Sequence, residues 1–336
     1  PFQTIPMDLR TVLICLISLL AAKGLCQMSM FEQWQKDGDL RLEITTDWDT
    51  LHATKNDDEL DALMVYNGEE WEMKVQLRGV YRRRSCDFPP FWINLKKGDL
   101  RDRGLIDEFD KFKVVTHCVN NEEGQNNQYE EKLIYELYGL LTDESYRVVD
   151  AEIVYRYPDD SKPATTARIL LLEPTDELAA RLGGEEYEQY GISYDSLDAR
   201  NYNRLALFQF MVGNYDWDYV VQRNVKMFSG HTHYRMVPYD FDFSAIVYPE
   251  YARLSGDWPQ KDFRDRIFKG KHFYDQLPAS QEEFLQKEDE ILEFVKNYPH
   301  LSKSRCREIM AYLRRFFKVL GNKKTELVDG FILRHL

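Results

Sequence analysis

The chain has 336 residues, of which 43% are hydrophobic, 14% aromatic and 30% charged. That is too apolar and too aromatic for a disordered tail, and 17 glycines with 12 prolines exclude a collagen-like or low-complexity chain. Forty-four Lys and Arg against 57 Asp and Glu leave a net charge of −13, which argues against a nucleic-acid partner held through its phosphates.

The apolar run TVLICLISLLAA at 11–22 follows Arg10, with Met7 reading as the start. It is shorter than the roughly 20 residues that span a bilayer and has no polar face. It reads as the hydrophobic core of an export signal, with Gly24 and Cys26 placed for cleavage before Gln27. Residues 1–26 are therefore expected to be a signal peptide. Residues 27–336 are expected to be the exported protein, secreted or held in the periplasm or cell envelope, without a stable membrane span after cleavage. Of five cysteines, Cys15 and Cys26 leave with the signal. Cys86 and Cys118 flank strands in the same region and make the better disulfide pair; Cys306 falls on a helical apolar stripe and reads as a buried thiol.

Strand patterns follow at 40–47 and 70–78, the second with Trp71, Met73, Val75 and Leu77 on one face, and Asn67-Gly68 between them is a hairpin turn. FWINLKK at 91–97 and KFKVVTHC at 111–118 read as further strands, a helix is expected over 127–141, and 146–157 with 165–172 read as a second hairpin. From Pro174 the pattern turns helical, with a short helix at 174–182, an all-round apolar helix at 198–212, a strand pair near 224–228 and 234–239, and a C-terminal helix carrying Cys306, Ile309, Met310, Leu313, Phe316, Phe317 and Leu320. The expected architecture is α+β in two lobes: a small antiparallel β-rich lobe with one helix over about 40–173, and a mostly helical lobe over about 174–336.

The densest chemistry lies in GNYDWDYVVQRN at 213–224 and VPYDFDFS at 237–244. A buried helix runs into a polar loop bearing Asp216, Asp218 and Asn224, and a strand pair returns to Asp240 and Asp242. In an extended chain the last two share a face, with Phe241 opposite. Carboxylates with an Asn carbonyl are hard oxygen ligands suited to Mg²⁺, and this layout is one that phosphotransferases use to hold a nucleotide-bound metal. Arg82, Arg83 and Arg84 read as a solvated basic turn. His231 and His233 sit at a hairpin tip with no further ligand at zinc spacing.

These segments resemble the spore-coat protein H (CotH) kinase family, in its secreted bacterial branch. The shared pattern is an Asn-x-Asp loop, a downstream Asn and a Pro-aromatic-Asp-x-Asp strand, with LRGVYRRRSCDFPPFWINLKK at 77–97 similar to that family's Arg-Gly…Phe-Pro segment. The resemblance covers about residues 40–250. It implies an atypical protein-kinase-like two-lobed fold, the cofactors ATP and Mg²⁺, and phosphoryl transfer to a protein substrate at a Ser or Thr hydroxyl. Asp216 matches the catalytic aspartate, and Asn224 and Asp240 match the metal ligands, with Asp242 in place of Asp240 if the strand register is shifted. The family often has Lys directly after Phe-Pro, whereas here Pro90 follows Phe88-Pro89. The phosphate-binding cation is then Lys96 or Lys113, with Lys96 favoured on the resemblance and Glu131 as its partner. Two other classes remain beside the kinase: a non-catalytic binding protein of the same fold at the cell surface or spore envelope, and a carboxylate-metal hydrolase.

Overall fold

Apolar residues alternating with polar ones make the first half of the chain a run of strands, and in the computed structural model those strands close on themselves. The structure describes residues 27–54, 58–79, 81–254 and 256–335; the expected signal peptide, with Cys15 and Cys26, lies outside the described residues. Helix α1 (Met30–Asp37) opens on a capping box in which Ser29 and Glu32 satisfy each other's backbone N–H groups. Then come β1 (Leu40–Thr45), α2 (Trp48–Ala53), β2 (Glu59–Tyr66), β3 (Glu69–Leu77), the one-turn α3 (Arg82–Ser85), β4 (Phe91–Leu95), α4 (Lys97–Asp102), β5 (Lys111–Thr116), α5 (Glu122–Gly139), β6 (Val148–Arg156) and β7 (Thr165–Leu172). Asn67 and Gly68 both have positive φ, as a tight hairpin between β2 and β3 requires.

The strands form a closed barrel in the order β1-β2-β3-β4-β5-β7-β6. Every neighbouring pair is antiparallel except β1 and β6, which run parallel from Leu40 opposite Ala151 to Thr45 opposite Arg156. An odd number of strands cannot alternate direction all the way round, so one parallel pair is the condition of closure. Leu42, Val75, Ile93, Phe112, Val114, Ile153, Ile169 and Leu171 fill the interior. On β5 and β7 the opposite face is apolar as well: Val115, Leu170 and Leu172 belong to the core of the helical half. This shared wall joins the two cores.

The helical half contains α6 (Thr175–Leu182), α7 (Ala199–Val212), the hairpin β8 (Val225–Phe228) and β9 (Arg235–Pro238), β10 (Arg266–Ile267), α8 (Leu277–Gln286), α9 (Glu288–Lys296), α10 (Lys303–Leu320) and β11 (Ile332–Leu333), which pairs with β10. Helix α7 is buried nearly all round, and the α10 stripe from Cys306 to Leu320 is buried as its spacing requires. Each such large apolar side chain contributes about 1.5–3 kcal/mol on leaving water. Among the described residues no helix is long and apolar enough to cross a membrane.

The closed barrel overturns the expected two-lobed, kinase-like fold with a small antiparallel β-rich N-terminal lobe. Alternation identified six of the seven barrel strands but missed β2, which rather than β1 forms the hairpin with β3 across Asn67-Gly68, and it carries no information on the β1–β6 pairing that closes them. Two local expectations also change. The helix expected from 127 begins at Glu122, where Asn121 accepts from the N–H of Gly124 as N-cap. Strand β9 stops at Pro238, and Asp240 has φ +62°, so Asp240 and Asp242 do not sit on one extended strand. The cysteine pairing stands: Cys86 and Cys118 are bridged, with Cα atoms 4.6 Å apart, and Cys306 is a buried free thiol.

Candidate functional site

Helix α7 delivers the first acidic loop. It ends at Gly213 (φ +71°), where a Cβ would lie 2.2 Å from Tyr312 Oη and 2.7 Å from the Ala245 Cβ, so only glycine fits. Beyond it, the Asp216 N–H donates to Asn214 Oδ1 (3.0 Å), and Asn224 Nδ2 donates to the Asp216 carbonyl (2.7 Å) and to its Oδ2 (3.1 Å). Arg223 Nη1 approaches Asp216 Oδ1 at 3.3 Å. Burial raises the Asp216 carboxyl above the usual range, and Arg223 only partly offsets it. Asp218 has a different task, since its Oδ1 accepts from the N–H groups of Val220 and Val221 and shapes the loop.

Helix α5 positions the second acidic segment. Glu131 and Tyr135 are one turn apart on the same face. Tyr135 Oη accepts from the Asp240 N–H (2.9 Å), with the buried Glu131 one turn before it. This contact holds the backbone at Asp240 in its left-handed conformation. Phe241 is buried against Tyr135 and Phe208, which leaves Asp240 half-buried and sends Asp242 inward. Asp242 accepts from Tyr251 Oη (2.9 Å) and lies 3.9 Å from Arg82 Nη1.

The lysines separate cleanly. Strand β4 ends at Leu95, so Lys96 is the N-cap residue of α4, exposed and paired with Glu72 on the outer surface. Lys113 is buried; its Nζ donates to Thr175 Oγ1 (2.9 Å) and stands 5.0 Å from the Tyr239 ring, 5.3 Å from Tyr146 and 5.6 Å from Trp92. Burial, then Arg78 and Lys226, push its amine down to about 7, with Glu186 and Asp240 pulling the other way. Lys113 is thus the lysine that senses the site. The expected Lys–Glu131 pair is absent among the described residues; the cation whose charge reaches Glu131 is Arg82, which pairs with Asp242.

Asp216, Asn224, Asp240, Asp242 and Glu131 therefore converge, with Lys113 at their edge, and the Asp240 charge reaches Asp216, Asp242 and Glu131 alike. Burial, then Asp240, raises both Glu131 and Asp242 against the pull of Arg82. Glu131 Oε1 is buried without a hydrogen-bond partner. These under-compensated carboxylates and the orphaned carboxylate oxygen are all-oxygen donors, the ligand type a hard divalent cation takes. Among the described residues no three His, Cys, Asp or Glu side chains stand close enough to enclose an ion by themselves.

Sequence reasoning passed over Arg82, Tyr135 and Tyr251. Arg82 was read with Arg83 and Arg84 as solvated, yet it is buried, donates to the Thr116 carbonyl (2.8 Å) and faces Asp242. Its one available signal was the neighbouring Cys86, whose bridge to Cys118 pins this turn to the end of β5. His231 and His233 are exposed at the β8–β9 tip, as expected. No protein-family model matches the chain, and no curated protein matches it.

Proposed function

We propose that the protein is an exported phosphotransferase that moves the γ-phosphoryl group of ATP, with Mg²⁺, to a Ser or Thr hydroxyl of a protein. The observation that supports this reading is the convergence of Asp216, Asn224 and Asp240, the three residues singled out by the CotH resemblance, beside a buried lysine. Asp240 and Asn224 would hold the metal, with Asp242 and Glu131 behind them. The metal supplies charge neutralisation for the phosphates. Lys113 carries the positive charge that meets a phosphate oxygen. Asp216, anchored by Asn224 and Arg223, is placed to accept the proton of the acceptor hydroxyl as the new O–P bond forms and ADP leaves. The Cys86–Cys118 bridge is consistent with an oxidising compartment outside the cytoplasm.

A binding-only protein is the second reading, favoured by the missing Lys–Glu131 ion pair. Isothermal titration of ATP with and without Mg²⁺, on wild type and Asp240→Ala, tests the site. Metal-dependent binding lost in the variant is expected, and unchanged binding rejects it. Transfer of radiolabelled phosphate to cell-envelope protein, abolished in Asp216→Asn, separates turnover from binding alone.

A further inference from the structure

Beside α10 and the Ala245–Ile246 segment lies a cavity of about 320 Å³, whose lining includes Arg264, Arg305, Arg315 and His335. Among the described residues its only acidic wall residue is Glu308, and Ile309, Ala311 and Tyr312 supply apolar surface. A basic, concave pocket of this size is out of keeping with a chain of net charge −13.

The local charges do not cancel. Arg264 meets Asp262 at 3.3 Å, Arg305 meets Glu130 at 2.6 Å and Glu308 at 3.0 Å, and Arg334 meets Asp265 at 2.6 Å. Arg266 and Arg315 have no carboxylate partner among the described residues. The fully buried Arg266 donates to the carbonyls of Met211 and Tyr312, and its guanidinium lies 3.3 Å from the centre of the Tyr312 ring. Arg315 donates to the Arg334 carbonyl (2.7 Å) and reaches His335 Nδ1 at 3.3 Å. A guanidinium has five N–H donors and no acceptor, so Nδ1 must accept and Arg315 keeps donors to spare. Burial, then Arg264, holds the His335 imidazole below its usual range; Arg315 and Arg266 add to this, and Asp262 opposes it.

We propose that this cavity binds a small organic oxyanion, its carboxylate or phosphate head on Arg315 and Arg264 and its apolar body against Ile309 and Tyr312. The planar fork of a guanidinium matches both head groups. The Tyr312 hydroxyl, donating to the Arg264 carbonyl (3.1 Å), ties the two walls together. The acidic cluster at Asp240 is the wrong sign for a bare anion, so the two sites have separate ligands.

The probes are inorganic phosphate, malonate and phenyl phosphate, titrated calorimetrically into the purified protein at an ionic strength held constant with chloride. Saturable binding of at least one probe is expected, weakened by about tenfold or more in Arg315→Gln and unchanged in Lys113→Met. The tighter of phosphate and malonate identifies the head group, and a gain for phenyl phosphate over phosphate reports the apolar wall. Arg264→Gln serves as the second variant if Arg315→Gln alters the circular dichroism or the melting temperature in chloride. The absence of saturable binding by any probe, equal affinity in both arginine variants, or loss of binding in Lys113→Met overturns the proposal.

Discussion

Arg82 Nη1 lies 3.9 Å from Asp242 Oδ2, with both side chains less than a tenth exposed, and this contact joins the turn after β3 to the acidic segment after β9. Among the described residues it is the only ion pair that brings a cation to Asp242 or Glu131, the Arg223 pair serving Asp216 instead. Removing it leaves Asp242 and Glu131 buried with no nearby positive charge.

Arg82→Ala is therefore expected to cost about 3–5 kcal/mol of stability, the range for a buried pair that loses one partner. Arg84→Ala, two residues on and exposed, should change stability by less than about 0.5 kcal/mol. Urea unfolding of the two variants side by side checks the contrast. Equal effects would return Arg82 to the role of a solvated turn residue.

Lys113 and Lys96 differ in what a nucleotide would do to them. With its amine held down to about 7 by burial and by Arg78 and Lys226, Lys113 is partly neutral near pH 7. A phosphate oxygen beside it favours the charged form, so binding takes up a proton. Affinity for Mg-ATP should accordingly fall as pH rises above about 7, by up to about tenfold per unit until the amine of the complex itself titrates. Titrations in buffers of different ionisation enthalpy read the proton uptake directly. The uptake should vanish in Lys113→Met and persist in Lys96→Met, whose parent side chain is occupied with Glu72 on the outer surface.

This outcome shows what one-dimensional patterning can and cannot carry. Alternation correctly placed Lys113 on the face of β5 opposite Phe112 and Val114. It gave Lys96 an equal claim, because nothing in FWINLKK marks Leu95 as the last strand residue before α4. The α7–loop–hairpin order that brings Asp216 to Asn224 was readable, since helix, cap glycine and strand pair are local features. Arg82, by contrast, is buried by groups far along the chain, and a run of three arginines looks solvated until Asp242 and Thr116 are placed beside it. Barrel closure is the same kind of fact on a larger scale: β1 meets β6 through tertiary packing that leaves no periodic mark.

Asp265 ties the loop before β10 to the segment after β11. Its carboxylate accepts from the N–H groups of His335 (2.7 Å), Lys261 (3.0 Å) and Asp262 (3.2 Å) and from Arg334 (2.6 Å). Burial alone would raise its carboxyl; these donors outweigh burial and bring it down to about 2 from 3.8. A carboxyl depressed by folding stabilises above its unfolded value, and that contribution is lost as pH falls from about 4 towards 2. The shift is worth about 2 kcal/mol. Asp265→Asn should lower stability by about that amount at pH 7 and flatten the acid limb of the stability curve between pH 4 and 2, as followed by tryptophan fluorescence.

The disulfide makes the last prediction, because it bears on both the fold and the site. Cys86 closes α3, the turn that carries Arg82, while Cys118 follows β5, the strand that carries Lys113. The two positions are 32 residues apart, so in the chain-entropy picture the bridge contributes about 3–4 kcal/mol by restricting the unfolded chain. Phe88 and Cys118 also exchange backbone contact, with the Phe88 N–H donating to the Cys118 carbonyl (3.0 Å), so the native geometry is supported without the bridge. Cys86→Ser with Cys118→Ser should then fold but unfold at lower urea, with the loss concentrated in stability. Arg82 would retain its hydrogen bond to the Thr116 carbonyl, but on a turn no longer pinned covalently. Metal-dependent nucleotide binding in the double variant should consequently weaken by less than in Asp240→Ala. Peptide mapping without reduction should recover Cys86 and Cys118 as one linked pair, and Cys306, buried on α10, should react with a thiol reagent only after unfolding. Free thiols at 86 and 118 in unreduced protein would remove the covalent tether and with it the stated stability difference.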